Sequence, residues 1–122
     1  MTRQDESGLI TQKCVPCEGG VCPLRLEEVG SLMPQIPGWI LIKKAGRPNE
    51  IVRHYDFPDW NAAAAYASRL GAIAEQEGHH PDVKLEYGYV GVSLKTHAIG
   101  GLSTNDFILA AKAEEAYKST TK

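Results

Sequence analysis

The sequence predicts an α+β domain, a four-stranded antiparallel sheet with three helices packed on one face, in the order α-β-β-α-β-β-α. Three observations predict it. Two pairs of β-favouring runs each close around a glycine-containing turn, three stretches carry apolar residues at helical spacing, and 122 residues suffice for one core but not for two. Strands joined as two hairpins form an antiparallel sheet, and one face of that sheet gives amphipathic helices a place to bury their stripes.

Residues 1–22 read as a flexible lead-in containing cysteine and glycine, and Gly19, Gly20 and Pro23 mark the break before a domain spanning 23–122. From Leu24 to Met33, the positions Leu26, Val29 and Met33 recur every three or four residues, which suggests a short helix stopped before Pro34. Trp39 to Lys43 and Ile51 to Tyr55 are bulky, β-favouring runs joined by a turn at Gly46, Arg47, Pro48 and Asn49. Pro58 suits a first helical turn, and Trp60, Ala64, Ala67, Leu70 and Ala74 continue at helical spacing through Glu77. Gly78 closes that helix, since glycine tolerates the left-handed conformation. Two strands follow, Asp82 to Glu86 around Val83 and Leu85, then Tyr89 to Thr96 with Val90, Val92 and Leu94 on one face. Ser103 and Asp106 form a Ser-x-x-Asp start signal for the last helix, which opens with Phe107, Ala110, Ala111 and Ala113.

Composition narrows the function. The apolar and charged fractions, 43% and 23%, are globular, and no apolar run approaches the ~18 to 20 residues of a membrane span. With 13 basic against 15 acidic side chains there is no field to hold phosphates or an anionic membrane, so neither nucleic acid nor membrane is an expected partner. The N-terminal thirteen residues show no apolar signal core, and a cytoplasmic protein is expected. Cys14, Cys17 and Cys22 are odd in number and crowded, a poor disulfide framework that fits a reducing compartment. Their C-x2-C-x4-C spacing offers three thiolates, one short of the ligand set usual for structural zinc.

Histidine carries the chemistry. His79 and His80 stand together before Pro81, and His97 follows the last strand. Imidazoles titrate near neutral pH, so two of them flanking a substrate can give one proton and accept another without a metal. That suits dehydration, in which an acid protonates the departing hydroxyl and a base takes a proton from the neighbouring atom. On spacing alone the plainer reading is favoured, with His-His-Pro as a polar turn and the strand-end histidine as half exposed. Metal binding by the trio lacks the His-Glu-x-x-His spacing that places two ligands on one helical face.

The segment Glu75-Gln-Glu-Gly-His79-His80-Pro81-Asp82, then Tyr87, Thr96-His97, Gly100-Gly101-Leu102-Ser103 and Asp106, resembles the pattern of the pterin-4a-carbinolamine dehydratases. Several elements agree in type and separation, including the eighteen-residue step from His79 to His97. The Pro-Gly-Trp39 strand start and the helix after Phe57 extend the likeness over most of the folded part. The resemblance implies a helix-covered sheet, a homodimer or homotetramer, and dehydration of 4a-hydroxytetrahydropterin to quinonoid dihydropterin with no cofactor. It implies His79 and His97 as proton-transfer groups and His80 as a pterin-binding member of the same catalytic trio. Glu75 and Asp106 match acidic positions near the site, while Trp39 matches a pocket wall and Pro81 the residue fixing the turn, which makes these four the expected substrate-binding set. Asp106 also reads as a helix cap, and Glu75 as a solvated helix residue. Gly78 departs from the aspartate that animal members carry before the paired histidines, so any bond that aspartate made to orient the first histidine must come from elsewhere or be missing. The alternative reading is a protein-binding module of the same fold, since some animal members are dimerisation partners of a transcription factor.

Overall fold

The computed structural model describes Leu9 and residues 23–96 and 100–120. The elements are α1 (Leu26–Leu32), a 3-10 turn (Met33–Gln35), β1 (Ile40–Lys44), β2 (Arg47–Asp56), α2 (Trp60–Glu77), β3 (Asp82–Glu86), β4 (Tyr89–Leu94) and α3 (Thr104–Thr120). The strands form one antiparallel sheet in the order β1-β2-β4-β3. The predicted class and element order hold. Cross-strand pairs Ile51↔Leu94 and Tyr55↔Val90 bury one face beneath the helices, joined by Leu70, Phe107 and Leu109. No helix among the described residues is long and apolar enough to cross a membrane.

Three boundaries move for identifiable reasons. The first hairpin turns on Ala45 and Gly46, both at positive φ (53° and 76°), the two-residue geometry that matches strand twist. β2 therefore starts at Arg47, and a bulge opposite Ile42 and Lys43 absorbs the segment around Pro48, which has no N–H to give. α2 starts at Trp60 rather than in the turn containing Pro58, because the Asp59 carboxylate accepts the Ala62 N–H at 2.9 Å. Its buried stripe is Ala63, Tyr66, Leu70 and Ala74, with Trp60 exposed, a rotation the alanine run at 62–65 leaves open. α1 is shorter than expected, and Pro34 sits in the first turn of the 3-10 segment instead of ending the helix alone.

The expected flexibility of residues 1–22, and the three cysteines, lie outside the described residues. Leu9 is the exception, 2% exposed and part of the core.

A polar cluster lies inside the far half of the sandwich. Arg53 on β2 grips Glu114 on α3 through Nε and Nη2, each at 3.2 Å, and the Tyr55 hydroxyl donates to Glu114 Oε1 at 2.8 Å. The guanidinium lies 4.5 Å over the Tyr55 ring. Burial works against the Arg53 charge, but the hydrogen bonds and charge of Glu114 outweigh it and hold the group above its ordinary value. Burial, then the neighbouring Tyr66 and Glu114, pushes the Tyr55 phenol far up. Burial raises Tyr66 likewise, while its hydroxyl donates to the Ala113 carbonyl at 2.8 Å.

Candidate active site

α2 delivers the paired histidines by ending abruptly. Gly78 adopts φ 67° and ψ 26°, its N–H returning to the Ala74 and Glu75 carbonyls, a left-handed closure that costs glycine little. The chain leaves the helix extended into Pro81, so His79 and His80, being adjacent, point apart.

His79 turns inward, its side chain 12% exposed, with Nε2 2.7 Å from Asp106 Oδ1. Asp106 occupies the first turn of α3 and is 0% exposed. Its second oxygen accepts the Ser103 N–H at 2.9 Å, the reciprocal half of a capping box, and the Thr96 hydroxyl at 2.7 Å. Three donors thus surround the carboxylate, which removes the penalty of an unsatisfied buried charge. Oδ2 accepts hydrogen bonds from two neighbours, and an ionised Asp106 also accepts at Oδ1, which puts a proton of the His79 ring on Nε2.

His80 turns outward, its side chain 61% exposed, and pairs with Glu75 at 2.8 Å. Both partners are solvated, so this pair is weakly held. Pro81 is half-buried at the start of β3. Trp39 is buried in the core, and its Nε1 has no hydrogen-bond partner among the described residues, His79, His80, Glu75 and Asp106 included. His97 lies outside the described residues. The positions around it are defined: Thr96 N–H donates to the Gly101 carbonyl at 2.8 Å, closing an antiparallel bridge across the segment.

The structure therefore brings together His79 with Asp106 and His80 with Glu75. It places Asp106 beneath His79, away from solvent. Asp106 also supplies the bond to His79 that Gly78 cannot make. Sequence reasoning missed the hydroxyls of Thr96 and Ser103, both buried and 2.9 Å apart. Their signals were adjacency to His97 and the Ser-x-x-Asp start. The fourth histidine, His54, is on the helix-free face, stacked on Tyr89 at 5.1 Å beside a cleft of about 370 Å³. None of the described candidate site residues lines that cleft. Among the described residues no three His, Cys, Asp or Glu side chains gather as a metal set.

Residues 22–116 match the family described as Pterin 4 alpha carbinolamine dehydratase. A relative from Chlorobaculum tepidum, named for that dehydratase, is 42% identical over 107 residues, covering 88% of this chain and 96% of its own. A crystal structure from Brucella melitensis, described as a transcriptional coactivator/pterin dehydratase, superposes with a TM-score of 0.71 at 27% identity, over 78% of this chain and 98% of the other. A pterin dehydratase-like RuBisCO assembly factor of the alpha-carboxysome shares the fold at a TM-score of 0.55 and 20% identity, over 66% and 89% of the two chains. The chain belongs to the pterin-4a-carbinolamine dehydratase family, a family of hydro-lyases.

Proposed function

We propose that this chain dehydrates 4a-hydroxytetrahydropterin to quinonoid dihydropterin, with His79 and His97 moving the protons, in tetrahydrobiopterin recycling or a related pterin pathway. The observation that carries the reading is the 2.7 Å pair of His79 and the buried Asp106, on a chain of this family. In the reaction the hydroxyl oxygen on C4a gains a proton and leaves as water, N5 loses its proton, and a C4a=N5 double bond forms. One proton is given, one is taken, and no electron changes hands, so two imidazoles suffice. His79, held by Asp106 through Nε2, exchanges through Nδ1, and His97 takes the complementary step. His80, solvent-facing and paired with Glu75, binds the pterin, and Pro81 fixes the turn that presents it. Trp39 supports the pocket wall from the core. Asp106 acts through His79.

The test supplies 4a-hydroxytetrahydropterin to chelator-treated protein and follows its disappearance by absorbance, beside His97→Ala. Acceleration lost in the variant is the expected result. Activity lost on chelation and restored by zinc contradicts the side-chain mechanism.

The reading includes a homodimer or homotetramer in the cytoplasm. β1 and β3 leave backbone edges unpaired among the described strands, with Ile40 and Val83 exposed on them. Sedimentation at micromolar concentration should give a discrete oligomer; a monomer contradicts this part. A protein-binding role has one observation in its favour, the double description of the Brucella relative. Absence of turnover by a folded, histidine-intact chain would favour it.

A further inference from the structure

We propose that Thr96 and Ser103 are positioning residues of the histidine site, forming a one-way hydrogen-bond chain that fixes the Asp106 carboxylate and through it the tautomer of His79. The kinetic part of this proposal rests on the dehydratase reading; the structural part does not.

The direction of the chain follows from proton inventory. Thr96 Oγ1 lies 2.7 Å from Asp106 Oδ2 and 2.9 Å from Ser103 Oγ. An ionised carboxylate only accepts, so the single hydroxyl proton of Thr96 goes to Asp106. Thr96 Oγ1 is then an acceptor, and the Ser103 hydroxyl donates to it. The order runs Ser103 to Thr96 to Asp106, with His79 Nε2 donating to the other carboxylate oxygen at 2.7 Å. Thr96, Ser103 and Asp106 are 4%, 7% and 0% exposed, so water does not compete for these bonds.

Two features make the chain more than a cap for α3. The Ser103 N–H and the Thr96 hydroxyl reach Oδ2 from different elements, one at the start of α3 and one beyond the end of β4. Two such donors prevent the carboxylate from rotating, and Oδ1 stays aimed at His79. Thr96 also precedes His97 and bridges to Gly101, so one residue anchors both the carboxylate behind His79 and the start of the segment carrying His97. Capping alone would need only Ser103 and Asp106.

The experiment compares Thr96→Val, which keeps the branched shape and removes the hydroxyl, with Thr96→Ser, which restores it, and with Ser103→Ala. Long-range proton-nitrogen spectra of the labelled, substrate-free protein report the His79 tautomer, and kinetics on 4a-hydroxytetrahydropterin report kcat and KM separately. The single Nε2–H tautomer should be present in wild type, give way to a mixture in Thr96→Val, and return in Thr96→Ser. Turnover should fall roughly tenfold to a hundredfold in Thr96→Val with KM nearly unchanged, as for lost orientation of a reacting group. Ser103→Ala should shift both readouts in the same direction by less, and it decides the matter alone if Thr96→Val does not fold. An unchanged tautomer and kcat in Thr96→Val, or in Ser103→Ala where that variant decides, overturns the proposal. So does a Thr96→Ser variant as damaged as Thr96→Val. A wild type that shows the single tautomer, loses it in Thr96→Val, and is inactive on the pterin supports the positioning chain and overturns only the dehydratase reading.

Discussion

Helix α3 carries a buried carboxylate, Asp106, and a partly buried one, Glu114, eight residues or about 12 Å apart along the axis, and each is satisfied by three side-chain or backbone donor bonds. The donors differ in kind. Glu114 faces a guanidinium that is permanently charged and a phenol whose ionisation burial has pushed far up, so nothing around it exchanges a proton near neutral pH. Asp106 faces an imidazole, the one side chain of the two clusters whose ring nitrogens can both give and take a proton. Its other two donors, a hydroxyl and a backbone N–H, only hold it still. The same way of holding a charge thus gives a strut at one end of the helix and, on the proposed function, a proton-handling site at the other.

Exchanging each carboxylate for its amide should separate the two ends most sharply. An amide accepts at one atom only, so Asp106→Asn leaves a donor unmatched or forces His79 into its other tautomer, and turnover should fall roughly 10²-fold. Glu114→Gln should instead cost about 2 kcal/mol of stability by leaving a half-buried Arg53 poorly paired, with turnover per folded chain unchanged. Parallel thermal melts and rate measurements on the two variants check this. Equal losses of rate in both would erase the distinction.

Within the reactive end, His80→Ala should raise KM several-fold while leaving kcat less affected, because a group that contacts substrate and transition state alike contributes uniform binding. A loss confined to kcat would exchange the roles of the two histidines.

At the strut end, Tyr55 and Tyr66 have phenols raised above their unfolded value of about 10. Folding therefore favours the protonated phenols; their contribution to stability is complete below about pH 10 and declines as pH rises past it. Tyr55 and Tyr66 should ionise only when the chain unfolds, followed by ultraviolet absorbance through an alkaline titration. The smallest effect should come from serine at Cys14, Cys17 and Cys22 together, with turnover close to wild type. A variant that unfolds or binds no pterin would make the lead-in structural, a point sharpened by the burial of Leu9.

Much of this arrangement was legible in the sequence because it is local. Alternation placed Val90, Val92 and Leu94 inward, Gly78 marked the end of α2, and the spacing from Ser103 to Asp106 marked the start of α3. What was not legible depends on distance along the chain or on uniform composition. Arg53 and Glu114 are 61 residues apart, and no short-range pattern pairs them. Thr96 reads as one more strand residue until folding sets its hydroxyl on Asp106. The alanines of α2 made two faces equally apolar, so periodicity gave the helix but not its rotation. The histidines were visible as a cluster, yet only the fold separates inward His79 from outward His80.

The most direct measurement of the central claim is the steady-state kinetics of His79→Ala on 4a-hydroxytetrahydropterin, with circular dichroism confirming the fold. If His79 moves a proton in the transition state, kcat should drop by roughly 10²-fold or more while KM stays close to wild type. A folded His79→Ala variant with wild-type turnover would contradict the account.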